Sequence, residues 1–389
     1  KSTTSWPRCA AVMAQESPAG PAPTTATRRR ALSLRAPGTA HRLLSRFTPT
    51  PQEDRDMPPQ APLARRFNTV SWLWICPLVT TLSCVTYLEC TPEDPVADGD
   101  LPARLSQTGL YADIATRTLA SDVRPFQPAF PLWTDGAKKS RWILLPPGAQ
   151  IDTTNPDDWL FPVGTKVWKE FAVDGIVVET RLLERVGPLD SDWVGVAYVW
   201  TDDDAIARPE GVFDARGTNH NVPTAGECMG CHGGRTSRVL GFAAVQLGGA
   251  SGEGGQLAEL VSQGRLSHPL PSERALPGTA REQQALGYLH ANCSHCHNQQ
   301  RPTATQEHCF DPLNNLDFLL PVEPPAKADD LPTYRSAVGS YIVPGDPDGS
   351  ELLDLVSTRG AFGQMPPLGT EQVDDEGVRV LRTWIGGME

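Results

Sequence analysis

The chain has 389 residues, 39% of them apolar, with 37 prolines and 34 glycines. That is enough for two or three domain cores joined by many turns and irregular connections, and it argues against a helix-rich body. Charge is uneven: nine Lys/Arg against four Asp/Glu before position 57, then 23 against 42 from Cys84 onward, about −19 for the body. An acidic body repels nucleic acid and anionic lipid, which argues against both as partners and suits solubility or docking to a basic protein.

Residues 1–56 hold Ala-Pro-Thr runs and scattered arginines without apolar periodicity. They read as a disordered or non-native extension, with Met57 as the natural start. Arg65 and Arg66 then precede an apolar stretch from Val70 to about Leu88. A basic segment followed by a short apolar one predicts an export signal, or a membrane or lipid anchor, over 57–90. Cys84 and Cys90 are candidate lipid-bearing residues, although the lipobox before Cys84 is poor. Residues 91–110 read as an acidic linker.

From 111 to 215 the signals are those of strands. Trp142–Leu145, Thr165–Phe171, Gly175–Leu183 and Val194–Trp200 are β-branched and aromatic runs separated by turns such as Asp174-Gly175. They predict a small antiparallel β domain. No histidine, cysteine or methionine lies between Thr91 and Asn219, which argues against copper, zinc or haem ligation there. Asp202-Asp203-Asp204 reads as a solvated loop. Trp133, Trp142, Trp159, Trp168, Trp193 and Trp200 read as core, with a carbohydrate-gripping platform as the competing use.

The chemistry is concentrated after 216. Cys228-Met229-Gly230-Cys231-His232 and Cys293-Ser294-His295-Cys296-His297 are both CxxCH. Two cysteines three residues apart can add across the two vinyl groups of one haem, and the adjacent histidine then reaches the iron. Zinc ribbons place their cysteine pairs about 15–20 residues apart, whereas 61 positions separate His232 from Cys293. Neither zinc nor thiol exchange explains a histidine directly after both pairs. The expected cofactors are therefore two covalently bound haem c groups, on Cys228, Cys231 and His232 and on Cys293, Cys296 and His297.

Met365, in Gly363-Gln364-Met365-Pro366-Pro367, lies 68 residues after His297 and is the expected sixth ligand of the second iron. For the first iron the candidates are His220 and His268, with water or no sixth ligand as the alternative. Glu227, His220 and Arg235 are the acid–base groups an open site would have nearby. His290 reads as part of its helix, and His295 fills a variable position of its motif. Cys309 reads as an unpaired thiol or a partner for Cys90.

Helices are predicted over Ala280–Asn292, over Glu351–Val356 with Asp348 or Ser350 as cap, and from Asp374 or Asp375 onward. A helix running into CxxCH and a last helix packed across it is the plan of small all-helical cytochromes. The expected fold class is therefore α+β and multidomain: a small antiparallel β domain followed by all-α cytochrome c-like haem domains, a first haem segment at 216–280 and a second domain at 281–389.

Pro125–Ala137, Phe161–Lys166, Val222–Thr224, Val239–Phe242 with Gln246-Leu247, Gly287–Cys293, Val343–Asp348 and Met365–Gly369 together resemble a family of exported, often lipid-anchored dihaem c-type cytochromes. The resemblance covers roughly 104–389, and the second half is similar to the cytochrome portion of some periplasmic sugar-dehydrogenase-like proteins. It implies periplasmic electron transfer between donor and acceptor proteins. The competing functions are a dihaem redox enzyme such as a peroxidase, and a carbohydrate-binding module with a haem relay.

Overall fold

The structure is a computed structural model, and it describes residues 101–248, 255–271, 276–300, 314–360 and 363–389. The export segment at 57–90, Cys84, Cys90 and Cys309 lie outside the described residues.

Eight strands are present among the described residues. β1 (Tyr111–Asp113) and β2 (Thr118–Leu119) form a small ribbon. β3 (Arg124–Pro125), β4 (Lys138–Leu144), β5 (Lys166–Val173), β6 (Ile176–Arg185), β7 (Trp193–Trp200) and β8 (Ala205–Ala207) form an antiparallel meander in chain order. Asp174 and Gly175 both have positive φ (50° and 84°) between paired Val173 and Ile176. That is the two-residue turn whose twist matches the flanking strands.

Strand pairing sorts the side chains onto two faces. One carries Trp168, Leu182, Val196, Tyr198 and Trp200, which pack against Leu105, Leu110 and Tyr111 from the segment before the sheet. Leu105 and Leu110, at the end of the stretch read as a linker, are fully buried. The other face carries Ile143, Val167, Leu183 and Gly195 in one cross-strand row. Trp159, Trp168, Trp193 and Trp200 are buried, and packing accounts for them.

Seven α-helices follow among the described residues: α1 (Ala225–His232), α2 (Ala244–Leu247), α3 (Gln256–Ser262), α4 (Ala280–Asn292), α5 (Pro332–Ala337), α6 (Glu351–Val356) and α7 (Asp375–Ile385). α1 and α4 each begin with a reciprocal Thr–Glu cap, Thr224 with Glu227 and Thr279 with Glu282, satisfying backbone donors at both ends of the exchange. α7 is capped by Asp374, whose carboxylate accepts from the Gly377 N–H at 3.0 Å.

This arrangement corrects the expected fold class. The segment after the sheet does not form all-α cytochrome c-like haem domains; sheet and short helices make one mixed fold. One apolar cluster joins Ile143, Val167, Leu183 and Trp193 of the sheet to Val239, Phe242, Leu247, Leu257 and Val322. A second unites α4, α6 and α7 with the extended segment around Leu316, Phe318 and Leu320. The physical reason is length. Helices of four to thirteen residues cannot enclose a core by themselves, so irregular chain and the sheet supply the missing walls.

Candidate functional site

α1 holds the whole first motif and lies on the sheet. A Cβ added at Gly195 of β7 would meet Met229 Cε at 3.4 Å and Cys228 Cβ at 3.5 Å, so glycine lets the motif helix approach. Helical spacing then puts Cys228 and Cys231 on one side, where both line a cavity together with His232. His232 Nδ1 lies 2.6 Å from the backbone oxygen of Arg238. A carbonyl only accepts, so Nδ1 carries the proton and Nε2 keeps a lone pair. Burial, and then Lys169, pull its pKa down to about 3, which keeps the ring neutral.

Thiol–disulfide exchange would need a stabilised thiolate. Burial instead pushes Cys228 up to about 11 and Cys293 up to about 12. Among the described residues no group of three or more His, Cys, Asp or Glu is placed to hold a metal ion.

The second motif continues from α4. Cys293 is the C-cap residue, and the backbone N–H groups of Cys296 and His297 return to its carbonyl at 3.1 and 2.8 Å. The His297 ring meets Phe318 edge-on, with centroids 5.7 Å apart. Cys293 and Met365 pack against the same apolar cluster. The Met365 backbone is tied at both ends: its N–H donates to Leu355 O at 2.9 Å, and its carbonyl accepts from Arg359 at 3.2 Å. His290 is a satisfied core histidine, its Nδ1 accepting from the Leu320 N–H at 3.1 Å.

The two motifs touch. Cys296 Sγ lies 3.9 Å from Gly230 O, and Asn298 Nδ2 donates to Gly234 O at 3.2 Å. His295, from the second motif, lines the first motif's cavity.

Of the two sixth-ligand candidates for the first iron, the structure brings one to the site. His220 lines the cavity, and its Nε2 is 2.7 Å from Glu179 Oε1. His268 is exposed, beside Ser267 Oγ at 3.0 Å, and does not line this cavity. Glu179 is fully buried; burial opposes its charge, but Arg181 and His220 outweigh that and hold the carboxyl below the usual range. Glu227 is spent on capping α1, and Arg235 pairs with Asp158 at 3.5 Å. Asp204 of the triple aspartate binds Ser106 Oγ at 2.7 Å, a structural use.

Glu179, Arg181 and Lys169 were not singled out from sequence. Glu179 and Arg181 stand two apart on β6 and so share a face, but Lys169, next to Glu170 on β5, carries no such signal.

Comparison with family models, with curated proteins and with solved structures found no match.

Proposed function

We propose that the chain is an exported, periplasmic dihaem c-type cytochrome that passes electrons between a donor and an acceptor protein. Cys228 and Cys231 would hold the first haem and His232 its iron; Cys293 and Cys296 would hold the second, with His297 and Met365 on its iron. Bound haem would supply the one-electron chemistry. The chain's own residues anchor it, fix the ligand tautomer and exclude water. The observation behind this reading is the first motif itself: two cysteines on one side of α1 share a cavity with a histidine whose Nδ1 proton is fixed on Arg238 O. No helix of the described residues is long and apolar enough to cross a membrane.

A dihaem redox enzyme such as a peroxidase is the second reading. It is favoured by the buried Glu179–His220 pair beside Arg181 at the first cavity, a group able to hold and move a proton.

The test is an optical redox titration of protein matured with haem, with and without peroxide and carbon monoxide. Two reversible low-spin haems indifferent to both ligands support the carrier. A haem that binds carbon monoxide or turns over peroxide supports the enzyme. Absence of covalent haem at both motifs defeats both readings.

A further inference from the structure

The sheet face that looks toward the first motif carries an unusual row. Strand register places Arg141 of β4 opposite Lys169 of β5, and Lys169 opposite Arg181 of β6. Like charges directly opposite one another destabilise a strand pair, and more so when buried. In the next row Lys139 stands opposite Phe171, and Phe171 opposite Glu179. These two rows thus hold four cations and one carboxylate, and Arg181 has taken it, binding Glu179 through Nε at 3.0 Å to both oxygens. Lys139 gives its protons to Leu132 O and Thr134 Oγ1.

Arg141 and Lys169 are left. Arg141 is only 7% exposed, and no carboxylate among the described residues forms an ion pair with either. Lys169 and Arg181 line the first motif's cavity, together with Cys228 and Cys231. Burial, then Arg141 and Arg181, bring Lys169 down to about 7. A buried arginine opposite a half-buried lysine, both kept without an anion, is poor design for stability alone, because hydrophobic side chains there would cost less.

We propose that Lys169, backed by Arg141 and Arg181, is the binding site for the propionate carboxylates of the haem attached at Cys228 and Cys231. This rests on the dihaem reading. Propionates are the anionic groups that haem brings into this cavity, and each needs a cation or donors once removed from water. The row is then a positioning device. It neutralises the haem edge, holds the propionates ionised and raises the potential of the first haem by keeping positive charge beside it.

The test uses the full haem-loaded chain, with Lys169→Met, Arg141→Met and Lys169→Arg, and reads both haem potentials from about pH 5 to 8. Lys139, Arg141, Arg181, Glu179, His220, His232, His295, Cys228 and Cys231 also face Lys169, and all of them are present in both Lys169→Met and Lys169→Arg. The expected result is a lower first-haem potential in each Met variant, with a new pH slope as a released propionate titrates. Lys169→Arg restores both, and the second haem moves less. Arg141→Met gives an independent reading should Lys169→Met fail to fold. A potential unchanged in the Met variants overturns the proposal. So does a drop without a new pH slope, which would mean that the charge acts on the iron from a distance. Failure of the underlying reading looks different: no covalent haem on Cys228 and Cys231 in the unsubstituted chain, measured by pyridine haemochrome and mass.

Discussion

His232 Nδ1 donates to the backbone oxygen of Arg238 across 2.6 Å, so a loop six residues downstream sets the orientation of the imidazole. Main-chain acceptors do this well, since no side-chain rotation can remove them. Cys231→Ser is expected to reduce covalently bound haem from two per chain to one, with the second site's spectrum retained. Haem stain and intact mass check this.

Met365→Ala removes the thioether while leaving its backbone bonds to Leu355 and Arg359 in place. Thioether ligation raises haem potential. The expected outcome is a fall in the potential of the second haem alone, read by optical redox titration.

α4 and α7 approach closely through glycine. A Cβ at Gly377 would run into the ring of Tyr288, and one at Gly287 into the ring of Phe130. Gly377→Ala is expected to cost about 1–3 kcal/mol, the usual range for overpacking. Denaturant melts of the haem-loaded chain measure it.

Asp135 ties the strap after Trp133 to the loop that follows Met365. Its Oδ1 accepts from Thr370 Oγ1 at 2.7 Å and from the Gln372 N–H at 2.9 Å, while Oδ2 accepts from the Glu371 N–H at 3.0 Å. Asp135→Ala is expected to lose about 1–3 kcal/mol, and amide exchange at 370–372 should speed up.

Burial, then Lys169 and Arg141, pull Lys139 down to about 7. The unfolded chain, with an ordinary lysine near 10.4, binds more protons than the folded one between those values. Stability therefore rises as pH increases from about 7 to about 10. Lys139→Gln should flatten that slope, which urea melts at several pH values will show.

Much of the fold was legible because its signals are local. Ala280–Asn292 and Glu351–Val356 match the predicted helices, and three strand runs match β5 to β7 within two residues, while β4 starts four residues before Trp142. Asp174-Gly175 announced its turn. What was not legible is how the halves meet. Gly195 beneath Cys228, and Val322 in a cluster with Trp159 and Phe242, are contacts between distant positions with no periodic signature. The motif cysteines and His232 could be named from spacing, but Lys169, Glu179 and Arg181 could not. They are ordinary strand residues until the register places them on one face.

The contact between the motifs, Cys296 against Gly230 and Asn298 against Gly234, has a consequence for the order in which electrons enter. With haem at both, reducing one iron adds a negative charge close to the other, inside a medium that screens poorly. The second electron then meets a repulsion the first did not. Even had the two sites been chemically alike, they would fill in sequence at separated potentials, and the pair would hand on electrons singly.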